Sequence, residues 1–132
     1  MREQRWWTWH LGAGAVILVL LGLHMVIMHL DAIAGVFNRA GSLPIDWPNV
    51  VERARSSFFM VTYVLLLGAA LFHGLYGLRN ILFELNPAAG LKRAISLVLV
   101  VGGLGLFGLG SWAAWASFAN ATAAPAAQSV SR

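Results

Sequence analysis

Long apolar runs separated by short charged stretches are the dominant pattern along the chain. Three segments contain no Asp, Glu, Lys or Arg, namely 6–30, 56–78 and 94–131, and the last stays apolar to about residue 118. A helix needs roughly 20 consecutive apolar residues to cross a bilayer, and each segment is long enough. We therefore predict three transmembrane helices, at about 9–35, 57–84 and 93–117.

The residues that flank these runs support the same assignment. Trp6, Trp7 and Trp9 lie at the start of the first run and Trp112 and Trp115 near the end of the third, and tryptophan prefers the membrane–water boundary. The last residues are mostly Ala, Pro, Gln and Ser, a composition too simple and polar to form a packed core. We predict an all-α integral membrane protein, with a three-span domain at 1–119 and a disordered tail at 120–132.

Composition narrows the possible functions. Apolar residues make up 59% of the 132 residues and charged residues 11%, less than half of the roughly 25% found in soluble domains. The few basic residues are scattered, which excludes a nucleic-acid-binding stripe. The absence of cysteine excludes disulfides, cysteine-ligated zinc, iron–sulfur clusters and thioether-linked haem. No nucleophile–base set or phosphate-binding loop indicates an enzyme that acts alone.

The charges do not decide the orientation in the membrane. With the N-terminus in the cytoplasm, five basic residues fall on the cytoplasmic side and four on the opposite side. Orientation follows an excess of Lys and Arg in the cytoplasmic loops, and a difference of one leaves both orientations open.

Three histidines lie inside the predicted spans: His24 and His29 in the first and His73 in the second. Ionisable groups in hydrocarbon are costly and usually mark function, and imidazole is a common ligand of haem iron. His24 and His29 are five residues apart, roughly 140° around a helix, so they cannot both bind one iron. We take the deeper His24 as the ligand and His29 as its alternative. Hydrogen bonding to a neighbouring helix is the competing explanation for each histidine.

Four further residues have candidate roles beside these histidines. Gly77 lies one turn after His73 on the same face, where a missing side chain would give room to a flat macrocycle. Arg79 is a candidate donor to a haem propionate or a quinone carbonyl, or a side chain that extends to the lipid headgroups. His10 begins the first span among tryptophans, and Glu84 ends the second. The alternative for His10 is a side chain at the membrane interface, and the alternative for Glu84 is a solvated helix end.

The run from His73 to Glu84 resembles the second helix of the membrane anchors of succinate dehydrogenase and fumarate reductase. In that family a haem-ligating histidine is followed four residues later by glycine, the position of Gly77 here. An acidic residue and a tyrosine close the family's helix near the quinone site. Glu84 matches the acidic residue, whereas Leu85 occupies the tyrosine position.

The first span resembles the two-haem cytochrome b form of the same family. The similar residues are His10, the glycines at 12 and 14, the pair Leu23-His24, and His29. The family's first-helix haem ligand falls on His24. The resemblance extends over about residues 5–90 and combines features of the two-anchor and single-anchor types. Because the single-anchor cytochrome has five spans and this chain has three, the resemblance implies that the chain is one of two small anchors.

The resemblance implies a subunit that is not catalytic alone and serves electron transport between an iron–sulfur protein and quinone. One or two b-type haems, shared with a second anchor subunit, would be bound by His73 and by His24 or His29, with Gly77 and Arg79 beside them. Glu84 and His10 would help to form the quinone site. The partners implied are a flavoprotein, an iron–sulfur subunit and the second anchor, in the bacterial inner membrane with a cytoplasmic N-terminus.

Helix rise tests the relative depth of the two haem ligands. His73 lies roughly 16 Å before Glu84 and His24 roughly 22 Å after Trp9 at 1.5 Å per residue, so their levels would differ by a few ångströms. A single haem held between His24 and His73 therefore stays open. Two other functions also stay open: a haem-free anchor of the same kind of complex, and a small non-redox membrane scaffold or transport subunit.

Overall fold

Four α-helices make up nearly all of the structure. It is a computed structural model that describes residues 2–30 and 43–123. Helix α1 is Arg2–Met25 and continues into a π-helical turn, Val26–Leu30. The remaining helices are α2, Trp47–Ala54; α3, Ser57–Glu84; and α4, Ala89–Ala123. The predicted end of the first span, 31–35, and most of the predicted tail lie outside the described residues.

Three of these segments are long and apolar enough to cross a membrane: Gln4–His29, Ser57–Glu84 and Ala89–Ala123. Residues 2–30 and 43–123 contain no strand. The predicted all-α fold with three transmembrane helices is confirmed, and the chain has the character of an integral membrane protein. Almost none of the residues in these three helices is fully buried inside the chain, so lipid or other helices must cover their exposed apolar side chains.

Helix α3 lies between the other two long helices. It packs along α1 on one side and along α4 on the other, whereas α1 and α4 make no comparable contact in the described part of the chain. The pairing is antiparallel on both sides, because positions further along α3 meet earlier positions of α4: Gly68 lies beside Phe107, and Leu75 beside Gly103. The three helices therefore form an open layer rather than a closed bundle.

The observed helix bounds differ from those predicted at three of the five comparable ends. Helix α3 occupies the residues predicted for it, 57–84, but α1 begins at residue 2 instead of 9, and α4 runs from 89 to 123 instead of 93–117. The prediction limited these helices to their apolar stretches. Helical hydrogen bonds continue into flanking polar residues, because Arg, Glu, Lys and Ala are good helix formers in any solvent.

Helix α2 was not predicted. Proline usually interrupts a helix, but Pro48 lies in the first turn of α2, where a missing backbone N–H removes no helical hydrogen bond. The predicted loop between the first two spans therefore contains a helix of eight residues directly before α3.

A tight turn joins α3 to α4. Asn86 has φ 48°, a left-handed conformation that asparagine tolerates better than most residues. Its backbone N–H donates to the carbonyl of Phe83 at 3.0 Å. Its side-chain oxygen accepts from Lys92 Nζ at 3.2 Å, which ties the turn to the first part of α4. This turn makes α3 and α4 antiparallel neighbours.

Glycines on α4 divide into two groups by what they face. A Cβ placed on Gly103 would lie 2.6 Å from Leu75 Cδ1, and one on Gly110 would collide with Leu67. Gly102, Gly105 and Gly108 have nothing within 4 Å of such an atom. The first pair allows α4 to approach α3 closely, which is how small residues favour helix association in membranes.

We expect Gly103→Val to separate α3 from α4 and to lower the free energy of unfolding by about 1–3 kcal/mol, the usual effect of overpacking. Gly105→Val is the matched control, because it adds the same side chain two residues away in open space. Thermal unfolding of both variants in the same detergent measures the difference. Equal destabilisation by the two substitutions would contradict this packing.

Candidate functional site

The central polar contact between α1 and α3 joins two histidines. His73 Nδ1 lies 3.0 Å from the backbone carbonyl oxygen of His10. Since a carbonyl oxygen only accepts, Nδ1 must carry the hydrogen, and the lone pair of the neutral imidazole is then on Nε2. The rings of His10 and His73 also stack, with centroids 4.0 Å apart and planes 7° from parallel.

Two glycines make room for this pair of rings. A Cβ on Gly14 would lie 3.1 Å from His73 Cε1, and one on Gly77 would lie 3.4 Å from His10 Cε1. Each glycine therefore accepts the histidine of the opposite helix. The room beside Gly77, predicted for a macrocycle, is occupied here by the His10 ring. Tyr76 completes the cluster, with its ring 5.3 Å from that of His10.

One ring nitrogen in this cluster has no partner. His10 Nδ1 is buried and makes no hydrogen bond with any residue that the structure describes. A buried polar atom without a partner costs about 1–3 kcal/mol, so a position of this kind calls for a water, a ligand or another subunit. The sequence placed His10 at the membrane boundary, whereas its ring is enclosed between α1 and α3.

This cluster could supply at most one histidine to a haem iron. Histidines that bind metal usually donate their other ring N–H to a backbone carbonyl or carboxylate, and His73 does so. His10 cannot serve as the opposite ligand of the same iron, because its ring lies face to face with that of His73. No group of three or more metal-binding side chains converges in residues 2–30 and 43–123. A second ligand would have to come from outside these residues.

His24 lies far from this cluster. It lies 14 residues after His10 on α1, roughly 21 Å along the axis. There it lines a cavity of about 20 Å³ with Phe59 and Tyr63 of α3, a space for about one water molecule. The expectation that His24 and His73 lie within a few ångströms in depth is therefore wrong, and one haem cannot be bound by both. The error arose because α1 begins near residue 2, which brings His10 opposite His73.

The other two predicted residues at span ends are exposed. His29 lies in the π-helical turn that ends the first span, and its side chain is exposed. Glu84 is the last residue of α3 and is exposed as well. Neither is brought next to His73 by the fold, and both point to the surroundings of the chain.

A groove of about 580 Å³ lies between α3 and α4, with Trp6 of α1 beside it. Its walls are mainly apolar and include Leu71, Phe72 and Leu99. At one end Arg79 Nε donates to Ser96 Oγ at 3.2 Å, and the guanidinium carbon lies 4.1 Å from the centre of the Phe83 ring. Arg79 is thus held between α3 and α4 at a polar end of an apolar groove.

Sequence reasoning singled out Arg79 but assigned no site role to Trp6, Tyr76 or Ser96, which also line this groove. Tyr76 was within reach of prediction, because positions three apart share a helix face and Tyr76 is three residues before Arg79. Ser96 was not, since only the antiparallel pairing of α3 with α4 brings it to Arg79. Glu84 and His10, predicted for a quinone site, do not line this groove.

Comparison with known proteins gives one distant relative. The chain is 29% identical over 98 residues to the succinate dehydrogenase hydrophobic membrane anchor subunit of Archaeoglobus fulgidus, a match that covers 74% of this chain and 76% of the relative. No known family profile matches the chain, and no solved structure matches it significantly. The similarity supports the anchor family predicted from the second helix and does not extend to the cytochrome b type.

The hydrogen bond between His73 and the His10 carbonyl predicts the tautomer of His73. In ¹⁵N-histidine spectra of the chain in lipid, with the signal assigned by His73→Asn, we expect neutral imidazole protonated at Nδ1. Gly14→Val should weaken that pattern, because its Cβ alone would lie 3.1 Å from His73 Cε1 and would push the ring away from the His10 carbonyl. Gly12→Val is the control, since nothing lies within 4 Å of a Cβ at residue 12. An Nε2-protonated His73 in the unaltered chain would contradict the structure.

Proposed function

We propose that this chain is a membrane anchor subunit of a succinate dehydrogenase or fumarate reductase complex. The observation that carries the proposal is the similarity to a succinate dehydrogenase membrane anchor over three quarters of both chains. In this role the chain would hold the flavoprotein and iron–sulfur subunits at the membrane and catalyse no reaction alone. Its location would be the bacterial inner membrane, with the N-terminus in the cytoplasm.

A second anchor subunit is part of the proposal. The three long helices form an open layer, in which α1 and α4 both contact α3 but not each other within the described residues. An open layer leaves two broad apolar faces for other helices. Transmembrane helices associate through close packing and interhelical hydrogen bonds, and the exposed glycines of α4 and the unpaired His10 Nδ1 offer both.

His73 is the proposed haem ligand in this chain. The Nδ1–H bond to the His10 carbonyl would orient its ring and raise the basicity of Nε2, as such bonds do for metal ligands. The second ligand would come from the partner anchor. His24, with His29 as its alternative, is the proposed ligand of a second haem at a different depth. A bound haem would supply one-electron transfer within the membrane.

The groove between α3 and α4 is the proposed quinone-binding surface of this chain. Ligand pockets of about 300–1,000 Å³ with apolar walls and a few polar groups are typical of small-molecule sites, and this groove has that size and character. Arg79 and Ser96 would donate hydrogen bonds to a quinone carbonyl, and the apolar walls would cover its tail. Reduction of a quinone takes two electrons and two protons. Glu84 and His10 are the proposed proton-transfer groups, and because neither lines the groove, they would pass protons to it through water.

A haem-free anchor is the second candidate, and one observation favours it. The contacts of His73 are also those of a histidine that only joins two helices, because its Nδ1 is bonded and its ring is stacked. Such a chain would keep the docking role and the quinone groove. The haem content of the purified complex separates the two candidates.

For the haem, we expect His73→Ala to remove one b-type haem from the purified complex, because it removes the Nε2 that is proposed to bind the iron. A reduced-minus-oxidised spectrum with pyridine haemochrome quantification measures the change. His24→Ala and His29→Ala, measured in parallel, identify the ligand of a second haem. Retained flavoprotein in each preparation shows that assembly is intact. A colourless unaltered complex would establish the haem-free candidate.

For the quinone, we expect Arg79→Gln to raise the quinone KM about 10-fold or more, since a hydrogen bond from a charged donor contributes about 1.5–3 kcal/mol. Ser96→Ala should raise it less, because Ser96 is a neutral donor. Arg93→Gln is the matched control: it removes an exposed charge at the same end of α4. Succinate oxidation with a soluble dye should be unchanged in all three. An unchanged quinone KM in Arg79→Gln would contradict the assignment of the groove.

A further inference from the structure

The short helix α2 and the residues before it bury polar side chains and expose apolar ones. This is the reverse of a surface helix in a water-soluble protein. Asn49 and Arg53, the polar residues on one side of α2, are 1% and 8% exposed. Ile45 and Trp47 are 70% and 75% exposed, and Leu43 is exposed as well. We call the exposed apolar group, Leu43, Ile45 and Trp47, the Trp47 face.

The inward polar groups are bonded within the segment. Asn49 Nδ2 donates to the carbonyl of Leu43 at 2.7 Å, and the backbone N–H of Leu43 donates to Asp46 Oδ2 at 2.7 Å. The guanidinium of Arg53 donates to the carbonyl of Pro44. The segment thus satisfies these polar groups internally and leaves apolar side chains outside.

This arrangement is the one that an apolar exterior favours. In water, a surface helix turns its apolar stripe inward and its charges outward. In hydrocarbon, polar groups have no water to bond and must be satisfied inside the protein. An outward Trp47 face with inward Asn49 and Arg53 follows the second rule, although α2 is far too short to cross a bilayer.

The position of α2 places it at the boundary of the membrane. It ends at Ala54, three residues before α3 begins, and Arg55 Nε donates to the carbonyl of Ala121 near the end of α4 at 2.8 Å. The segment therefore lies level with the ends of two membrane-spanning helices. Phe58, in the first turn of α3, is exposed and continues the apolar surface. Tryptophan at this level is typical of membrane interfaces.

We propose that α2 is an interfacial helix that lies on the lipid, with the Trp47 face in the boundary between headgroups and acyl chains. The partner of this surface is the bilayer itself, because α2 directly precedes α3, a helix long and apolar enough to cross a membrane. Interfacial helices of this kind bind through a buried apolar face of modest depth. The inference depends on the membrane spans and on α2, and it stands or falls separately from the anchor function.

The natural absence of cysteine allows a direct test. Trp47→Cys, Ile45→Cys and Glu52→Cys variants of the full chain are each labelled with the fluorophore NBD and reconstituted into phosphatidylcholine–phosphatidylglycerol vesicles. Glu52 is the matched control, because it is an exposed residue of α2 roughly 140° around the helix from Trp47. Lipids with a nitroxide high on the acyl chain report contact with the bilayer, and iodide reports contact with water.

We expect lipid nitroxide to quench the labels at 45 and 47 several-fold more strongly than the label at 52, and iodide to show the reverse order. Iodide quenching at 45 and 47 equal to that at 52 would place the Trp47 face in water and overturn the proposal. Protection of both labels from both quenchers would mean that protein, such as a second copy of the chain, covers the face, and would overturn it as well. Because two positions are labelled, a local distortion caused by one substitution would not change the result at the other.

Discussion

A polar group inside a membrane span has no water to bond, and the arrangement of this protein follows from that constraint. His73 gives its Nδ1–H to a carbonyl of the neighbouring helix. Arg79 bonds Ser96 across the next helix pair. Each bond joins α3 to one neighbour, so polar residues scattered along the sequence become the points that hold three separate helices together. The two buried polar atoms left without a partner in the described part, His10 Nδ1 and Ser111 Oγ, are positions that a larger assembly would satisfy.

Close approach makes these bonds possible. The missing side chain at Gly14 leaves room for the His73 ring beside the His10 carbonyl, and the missing side chain at Gly103 leaves room for Leu75. In a bilayer, lipid tails compete equally for apolar surface, so contact between helices depends on fit and on hydrogen bonds. Helix α3, which has such contacts on both sides, is the central element. The open layer around it suits a subunit whose remaining surface is covered by lipid and by other helices.

The histidine cluster and the groove between α3 and α4 differ in size and polarity, so they suit different ligands. The histidine cluster is compact and leaves two ring nitrogens, His73 Nε2 and the buried His10 Nδ1, without a partner in the described residues. The groove between α3 and α4 is large and apolar, with a cation and a hydroxyl at one end. The histidine cluster and the apolar groove lie on opposite sides of α3, so two different ligands could be bound without competing for the same surface.

The sequence by itself determined the class and the spans. Charge-free runs identify membrane helices because unpaired charges are excluded from hydrocarbon, and the second span was located to the residue. The run from His73 to Glu84 indicated the anchor family that the distant relative supports. Their positions in the second span also identified His73 and Arg79 as candidate site residues.

Only the tertiary structure decided which residues meet. The relative depth of α1 and α3 is set by side-chain fit at Gly14 and Gly77, not by hydropathy, and it brought His10 rather than His24 to His73. The pairing of Arg79 with Ser96 and the inverted face of α2 likewise depend on neighbours distant in sequence. Hydropathy is a sum over each segment and is insensitive to rotation or sliding of a helix, whereas a hydrogen bond or a glycine contact changes with a shift of one residue.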